Sequence, residues 1–304
     1  MVKLSDVLEK KGRGLKEAEL EPQKQRPEKK APAARKPTAP SAPPQPGLAA
    51  PDGSFAPAAP SAQDGPLPAP ADVPMNAKEA ARLVSLYQPN SPQAKRIDML
   101  RSQLLYPFHG EPPRTIMITS AAPEEGRSLL TANLAISFAR GLQQYVMVMD
   151  CHLAEPAQHH LLRVPRTPGL TDFLLWDAPV PDIMHWSNVD KLSVIPTGSP
   201  SNRSAEILAT DKMDGLLKEL RSRYEDRYIL LDTPPVQAFD DPAVLARMVE
   251  GIVVVVLAGV TDRELVLRSI RSLPEEKIMG LVLNDMKTAV MDAPALSIIQ
   301  DESG

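Results

Sequence analysis

The sequence is poor in cysteine and lacks a long hydrophobic run. Cys151 is the one cysteine among 304 residues, which excludes a disulfide framework and is typical of a reducing compartment. The longest apolar run, at 252–260, is far short of the ~20 residues that cross a bilayer and is typical of a buried parallel strand. The first residues contain no apolar signal-peptide core. We therefore predict a cytoplasmic protein.

An excess of positive charge is also missing. Lys and Arg number 34 against 38 Asp and Glu, which gives a net charge of −4. A dedicated nucleic-acid binder is usually strongly basic, so we expect no nucleic-acid partner.

Proline is unevenly distributed, and this divides the chain. Of 33 prolines, 15 fall within the first 75 residues. The Pro/Ala-rich segment 21–75 is predicted to be disordered and locally extended, either as a docking arm or as a plain tether. Residues 1–20 are predicted to contain a short helix that either grips a partner or frays. The globular domain is predicted at 76–290, followed by a short tail at 291–304.

Within that domain, short apolar runs alternate with helical stretches. Strands are predicted at 114–120, 145–150, 192–198, 227–232, 251–259 and 278–284, and the helices between them begin near Ser128, Thr171, Ala205, Asp241 and Arg263. Two helices precede the first strand, the second opened by Ser91 and Pro92. This alternation predicts an α/β fold with a doubly wound, mostly parallel sheet.

The turn after the first predicted strand has the outline of a phosphate-binding loop. The stretch TSAAPEEGRS ends in Gly126, a cation at Arg127 and a hydroxyl at Ser128, and a helix follows. Backbone N–H groups of such a loop wrap phosphates, and the helix N-terminus adds positive potential. The candidate nucleotide-binding residues are Pro123, Glu124, Glu125, Gly126, Arg127, Ser128 and Leu129.

Two aspartates end predicted strands. Asp150 follows one apolar run and Asp232 another, and carboxylates at strand carboxyl ends converge on the ligand crevice of a doubly wound sheet. There, together with Ser128, they are candidates to hold Mg²⁺. The alternative for either aspartate alone is a helix N-cap.

Several ordered motifs resemble the bacterial tyrosine kinases, P-loop proteins that control capsule and exopolysaccharide synthesis. YILLDTPPV (228–236) resembles their Walker B segment, and VMVMDCHLAEP (146–156) with TPGLTDFLL (167–175) resembles their second Asp-containing motif. NRSAEIL (202–208), VVVLAGVTDRELVLRSI (254–270) and GLVLN (280–284) resemble later segments. The resemblance covers about residues 85–285.

That resemblance implies a P-loop NTPase fold with a deviant Walker A loop, of the MinD/ParA-like superfamily. It implies ATP/ADP and Mg²⁺ as ligands, Arg127, Asp150 and Asp232 as catalytic positions, and Asn284 near the nucleotide base.

The loop departs from the family pattern S-x-x-P-G-E-G-K-S at two positions. Glu124 replaces a glycine, whose backbone freedom a side chain restricts, and Arg127 replaces the catalytic lysine. At ~5 Å and an effective dielectric of ~20, the charge of Glu124 would repel a phosphate charge by about 3 kcal/mol. A planar guanidinium can bind phosphate and still miss the in-line transition state.

Other positions depart as well. His152 stands where relatives carry a second aspartate, and either it acts as a base near neutral pH or it has drifted without a role. We interpret His159 and His160 as helix-surface residues, and Cys151 as a buried inert thiol.

Two further departures concern assembly and substrate. The family's E-x-x-R-x-x-R helix, which bridges subunits in a ring, corresponds here to Lys95, Asp98 and Arg101. The tail after Asn284 has no tyrosine, whereas relatives end in a tyrosine cluster that is the autophosphorylation substrate. The nearest tyrosines, Tyr224 and Tyr228, lie before or in a predicted strand.

Three functions stay open. The leading hypothesis is a degenerate tyrosine-kinase-like protein with weak or absent ATP use, acting as a regulatory or scaffolding subunit of polysaccharide synthesis or export. Its partners would be an inner-membrane polysaccharide co-polymerase or an active kinase paralogue, in a homo- or hetero-oligomer recruited to the inner face of the membrane. The second is an active tyrosine kinase that uses Arg127 in place of lysine. The third is a partitioning or positioning ATPase.

Overall fold

The structure is a computed structural model, and it describes residues 81–285 apart from 109, 142, 200, 202 and 225. The predictions for the N-terminal helix, the Pro/Ala-rich arm and the tail at 291–304 lie outside the described residues. Within the described part, no helix combines the length and the apolar character needed to cross a bilayer.

A seven-stranded sheet organises the described part of the chain. The strands are β1 (Thr115–Ser120), β2 (Tyr145–Asp150), β3 (His185–Trp186), β4 (Leu192–Ile195), β5 (Arg227–Asp232), β6 (Gly251–Leu257) and β7 (Ile278–Asn284), in the spatial order β3-β4-β2-β5-β1-β6-β7. All neighbouring pairs are parallel except β3 with β4. The predicted doubly wound α/β fold is confirmed.

Helices connect these strands. Their bounds are α1 (Val84–Tyr87), α2 (Pro92–Leu105), α3 (Arg127–Ala139), α4 (Gln158–Leu161), α5 (Leu170–Trp176), α6 (Val180–Ile183), α7 (Ser204–Leu208), α8 (Asp211–Arg223), α9 (Asp241–Leu245) and α10 (Arg263–Arg271), with a 3₁₀ turn at Glu275–Lys277. The predicted start of α2 is confirmed, because the Ser91 hydroxyl caps the helix by accepting the Ala94 N–H at 3.2 Å and Pro92 occupies its first turn.

The strands are apolar without interruption because both faces of the sheet are covered. Ile116 and Ile118 pack into one core with α3, whereas Met117 between them packs into a second core on the opposite face with α8. Phe138 of α3 is fully buried in the first core, and Leu217 of α8 is buried in the second. Burial of each such side chain contributes about 1.5–3 kcal/mol relative to exposure.

Two predicted strands are shorter than expected, and one strand was missed. The strands predicted to run to 198 and 259 end at Ile195 and Leu257. The missed strand, β3, pairs antiparallel at the sheet edge. Its two residues are too few to show a period-two pattern in the sequence. The pairing that matters for the site is between β2 and β5, where Asp150 lies opposite Asp232.

Candidate functional site

The phosphate-binding loop lies where the sequence predicted it, between β1 and α3. At its start the Ser120 hydroxyl donates to the Ala122 carbonyl at 2.7 Å. At its end the chain turns into α3 through Gly126, whose φ is 83°. Within the described residues, the backbone N–H groups of 124–128 have no hydrogen-bond acceptor. They form the unpaired positive end of a 13-residue helix, as an anion site requires.

Glu124 adopts the backbone conformation that a glycine would adopt more easily. Its φ is 60°, in the left-handed region, and its side chain is exposed to solvent. The substitution therefore preserves the turn at the cost of local strain, about 1–2 kcal/mol for an L-residue in this region. The exposed carboxylate is not held inside the loop, so the repulsion calculated above is an upper bound.

Glu125, in contrast, is buried and closes the loop internally. One carboxylate oxygen accepts the Ala122 N–H at 2.8 Å. The other accepts the Leu257 N–H at 3.2 Å and the hydroxyl proton of Thr261. The side chain is 1% exposed and ties the loop to the end of β6. The sequence predicted Glu125 as a nucleotide contact, and the structure places its carboxylate on protein groups.

Asn284 lies against the loop from the end of β7. Its side-chain amide donates to the Glu125 carbonyl at 2.9 Å. A Cβ added at Gly126 would lie 2.3 Å from Asn284 Nδ2, so a side chain at this position would require the Asn284 amide to shift. The sequence placed Asn284 near a nucleotide base through the family resemblance, and the structure brings it to the loop.

A cavity of about 660 Å³ opens beside Gly126 and Asn284. Its walls come from α2, α3 and β7, and they include Leu129, which the sequence assigned to the nucleotide site. Pro123 is exposed at the outer edge of the loop.

Arg127 is buried beneath the loop, with 7% of its surface exposed. One terminal nitrogen donates to the Ser120 hydroxyl at 3.3 Å, and the other lies 3.0 Å from His152 Nδ1. Its Nε lies 4.0 Å from Asp232 Oδ1. The two residues that replace the family's lysine and second aspartate therefore contact each other.

Asp150 and Asp232 are adjacent and completely buried. Asp150 accepts three backbone N–H groups, from His152 at 3.2 Å, Ala157 at 3.0 Å and Gln158 at 2.9 Å. Two of these N–H groups belong to the start of α4, whose N-cap residue is Ala157, so Asp150 contacts the helix end without being its N-cap residue. Asp232 Oδ2 accepts the side-chain amide of Gln158 at 2.7 Å.

Gln158 is a site residue that the sequence reasoning missed. Its side-chain amide bridges the Ser128 carbonyl, at 2.9 Å, and Asp232, and it is fully buried. A single glutamine at the start of a four-residue helix carries no motif, so its role was visible only after folding.

Burial is the largest cause of the pKa shifts of the charged and titratable residues in this cluster. Desolvation, followed by the charge of Asp232, raises the pKa of Asp150. Desolvation also raises the pKa of Asp232, against hydrogen bonds from Gln158 and Ser128 and the charge of Arg127. Burial and then the Arg127 charge lower the pKa of His152 to about 4, so its imidazole is neutral near pH 7 and accepts from Arg127 through Nδ1. Burial also lowers the pKa of Arg127.

Three nearby residues, Cys151, His159 and His160, lack the features of a reactive or metal-binding group. Cys151 is fully buried, and desolvation raises its thiol pKa well above the ordinary value, which makes it a poor nucleophile. His159 and His160 are half-buried on α4. No group of three or more potential metal ligands from His, Cys, Asp and Glu is found in the described part of the chain.

The fold and the loop together define a P-loop NTPase-like α/β domain. No protein-family model matches the chain. The tyrosine-protein kinase YwqD of Bacillus subtilis is 28% identical over 207 residues, which cover 67% of this chain and 86% of that protein. The succinoglycan biosynthesis transport protein ExoP of Rhizobium meliloti is 30% identical over 181 residues, 58% of this chain and 22% of that protein.

A solved structure supports the same assignment. The kinase domain of the Escherichia coli tyrosine kinase ETK superposes with a TM-score of 0.62 at 25% identity, covering 66% of this chain and 79% of that one. The resemblance to the bacterial tyrosine kinases is therefore confirmed. The chain is a homologue of these proteins and has the fold of their kinase domains.

Proposed function

We propose that this chain is a tyrosine-kinase-like protein that has lost kinase chemistry and acts as a regulatory or scaffolding subunit of polysaccharide synthesis or export. The observation that carries the proposal is the contact between Arg127 and His152 beneath the loop, 3.0 Å apart. Both replace residues that the family resemblance assigns to catalysis. The contacts with His152 and Ser120 hold the guanidinium in one orientation, whereas a lysine ammonium is a compact charge on a flexible stem.

The surroundings of the two aspartates support the loss of chemistry. Phosphoryl transfer depends on metal ions that bridge phosphate oxygens and neutralise developing charge. Asp150 accepts three backbone N–H groups, and Asp232 accepts the side-chain amide of Gln158. These hydrogen bonds occupy part of the acceptor capacity of both carboxylates and leave Asp232 Oδ1 as the oxygen that accepts none from the part of the chain that the structure describes.

The described tyrosines nearest to the end of the chain are poor phosphoacceptors. Tyr228 lies within β5, half-buried, with its ring 4.9 Å from that of Phe138. Tyr224 is half-buried at the end of α8. Their burial argues against either residue as an autophosphorylation substrate.

Self-assembly through the family's ring contact is also unfavourable. Asp98 accepts the Ser137 hydroxyl proton, and Arg101 donates to the Ser137 carbonyl at 2.5 Å. Asp98 and Arg101 also pair with each other at 3.6 Å, while Lys95 is exposed. Two of the three positions thus bind their own α3, which leaves them less available for a ring contact with a second copy.

The names of the relatives support a class of partner. One relative carries the name of a succinoglycan biosynthesis transport protein and others are tyrosine-protein kinases. We propose an inner-membrane polysaccharide co-polymerase or an active kinase paralogue as the partner, with the chain at the cytoplasmic face of the membrane and residues 21–75 as the connecting arm.

Kinase activity tests this proposal directly. The purified full chain is incubated with Mg²⁺ and γ-labelled ATP, alone and with a tyrosine-rich polymer, beside Asp232→Ala. We expect no phosphotyrosine above the level of that variant. A parallel triple variant, Glu124→Gly, Arg127→Lys and His152→Asp, shows whether the scaffold regains activity. Phosphotyrosine formed by the native chain and lost in Asp232→Ala would overturn the proposal.

An active kinase is the second candidate, and one observation favours it. The loop preserves its turn, with Glu124 at a φ of 60° and Gly126 at 83°, and its amides have no acceptor within the described residues. Under this alternative Arg127 supplies the charge of the missing lysine. The same assay distinguishes the two functions.

A further inference from the structure

The Arg127 cluster contains several buried polar atoms without partners. Within the described residues, Arg127 Nε, His152 Nε2 and Asp232 Oδ1 make no hydrogen bond. Their side chains are 7%, 2% and 0% exposed. Buried polar groups are nearly always paired with protein, water or a ligand. Asp232 Oδ1 is an acceptor and faces Arg127 Nε at 4.0 Å, so the donors left for a ligand oxygen are Arg127 Nε and His152 Nε2.

The protein groups of this cluster suit a divalent metal poorly. Mg²⁺ demands near-octahedral oxygen ligands at about 2.0–2.1 Å. Both oxygens of Asp150 already accept backbone N–H groups, and Asp232 Oδ2 accepts from Gln158. The remaining oxygen, Asp232 Oδ1, faces the Arg127 guanidinium at 4.0 Å. His152 offers nitrogen where a hard cation would take a carboxylate oxygen.

The guanidinium supplies the charge that the metal would otherwise supply. It neutralises Asp232 from inside the protein, and its hydrogen bonds to Ser120 and His152 fix its plane. Arginine is the side chain best matched to phosphate oxygens, because its donors lie in one rigid fork. A guanidinium held in this way supplies a fixed positive charge next to Asp232.

The other side of the cluster is suited to an anion. The amides of 124–128 have no acceptor within the described residues, and they lie at the N-terminus of α3, the helix that Arg127 begins. His152 accepts from Arg127 through Nδ1, so its Nε2 carries the proton and is a further donor. Of the two acidic residues of the loop, Glu124 is exposed, and the buried Glu125 carboxylate accepts from Ala122, Leu257 and Thr261.

We propose that this loop binds a phosphate or diphosphate group without a divalent metal, with the Arg127 guanidinium in place of the cation. This deepens the proposed function and rests on it, because a site that needs no metal holds a ligand without performing phosphoryl transfer. The phosphate could belong to a nucleotide or to free pyrophosphate, and the test separates these sources.

Calorimetry on the full chain provides the test. ADP, ATP, pyrophosphate and inorganic phosphate are titrated separately in EDTA and in MgCl₂, and MgCl₂ is also titrated alone. We expect binding in EDTA, with a dissociation constant that MgCl₂ either changes by less than about threefold or increases. We expect no heat from MgCl₂ alone. Pyrophosphate binding as tightly as ADP identifies the phosphates as the whole ligand, and tighter ADP binding identifies a nucleotide.

Variants connect the binding to the cluster. Arg127→Met is expected to abolish binding in EDTA. Arg127→Lys, which keeps the charge and guards against a folding defect, is expected to weaken it about tenfold. Arg127→Lys with His152→Asp is expected to bind more tightly with MgCl₂ than with EDTA. The exposed Arg247→Met serves as the control, and thermal melts confirm that each variant is folded.

The failures are distinguishable. Absence of binding to all four probes in both buffers overturns this inference and leaves the proposed function standing. Binding by the native chain that requires MgCl₂ also overturns it. Metal-dependent binding accompanied by phosphotyrosine formation overturns both.

Discussion

Arg127 Nε lies 4.0 Å from Asp232 Oδ1, and neither atom makes a hydrogen bond within the described residues. This is a buried pair in which each charge compensates the other, and removing one partner leaves the second uncompensated. We expect Arg127→Met to lower the free energy of unfolding by about 2–4 kcal/mol. Adding Asp232→Asn to Arg127→Met is expected to recover part of the lost free energy of unfolding, because the uncompensated charge of Asp232 is removed.

Urea unfolding of the native chain, both single variants and the double variant measures this coupling. The exposed Arg247→Met, expected within about 0.5 kcal/mol of native, is the control for replacing an arginine. Single effects that simply add would show that the two side chains do not interact energetically.

Two consecutive glutamates of the loop are expected to behave oppositely. Glu125 is buried and accepts two N–H groups and a hydroxyl, whereas Glu124 is exposed. Glu125→Gln places an amide group against backbone donors, so we expect a loss of about 2–3 kcal/mol in unfolding free energy. Glu124→Gln is the matched control, expected within about 0.5 kcal/mol of native. Equal effects in thermal or urea unfolding would contradict the assigned role of Glu125.

A side chain at Gly126 is expected to destabilise the protein for two reasons, backbone strain and contact with Asn284. Its φ of 83° is strained for alanine, and a Cβ would lie 2.3 Å from Asn284 Nδ2. We expect Gly126→Ala to cost about 2–3 kcal/mol, of which the left-handed backbone accounts for about 1–2 kcal/mol.

Shortening Asn284 separates the two causes. In an Asn284→Ala background the clash is gone and only the backbone strain remains, so Gly126→Ala should cost about 1 kcal/mol less than in the native chain. The comparison requires unfolding curves for all four proteins. An unchanged cost of Gly126→Ala would place the whole effect in the backbone.

Asp241 gives the stability a defined pH dependence. The residue is 2% exposed, and burial is the main cause that raises its pKa, opposed by a hydrogen bond from Ser204 and reinforced by the charge of Asp240. Because the pKa of Asp241 is higher in the folded state than its unfolded value of 3.8, the protonated carboxyl favours the folded protein. This contribution to stability is complete at pH values below the unfolded pKa, and it is lost as the pH rises through the folded pKa.

Asp241→Asn removes this titration while keeping an oxygen for the Ser204 hydroxyl. We therefore expect the variant to gain stability relative to the native chain as pH rises from about 4 to 7, with the difference levelling off above the folded pKa. Urea unfolding at several pH values measures the difference. The exposed Asp211→Asn is the control, and a constant difference across the pH range would contradict the prediction.

Much of the fold could be predicted from the sequence because its signals are local. The continuous apolar strands, the cap at Ser91 and the turn at Gly126 each follow from neighbouring residues and are confirmed. Strand β3 was missed because two residues carry no period. The predictions for β4 and β6 were too long because they included the residues that follow each strand, 196–198 and 258–259.

The candidate site was only partly predictable. The sequence singled out Arg127, Asp150 and Asp232, and the β2–β5 register does place the two aspartates side by side. Gln158 was missed, since a glutamine on a four-residue helix is indistinguishable from a surface residue until the sheet positions it. The inward carboxylate of Glu125 and the outward one of Glu124 are chemically identical in the sequence.

The sequence by itself determined the class of fold, the position of the loop and the substitutions at 124, 127 and 152, because periodicity, turn chemistry and residue identity are properties of short segments. The tertiary structure decided that Arg127 meets both His152 and Asp232, and that Asp98 and Arg101 bind their own chain. Arg127 is 25 positions from His152 and 105 from Asp232, and Asp98 and Arg101 contact a residue on a neighbouring helix. Residues so far apart in the sequence come within hydrogen-bonding and charge–charge distance only because the sheet and its covering helices pack together.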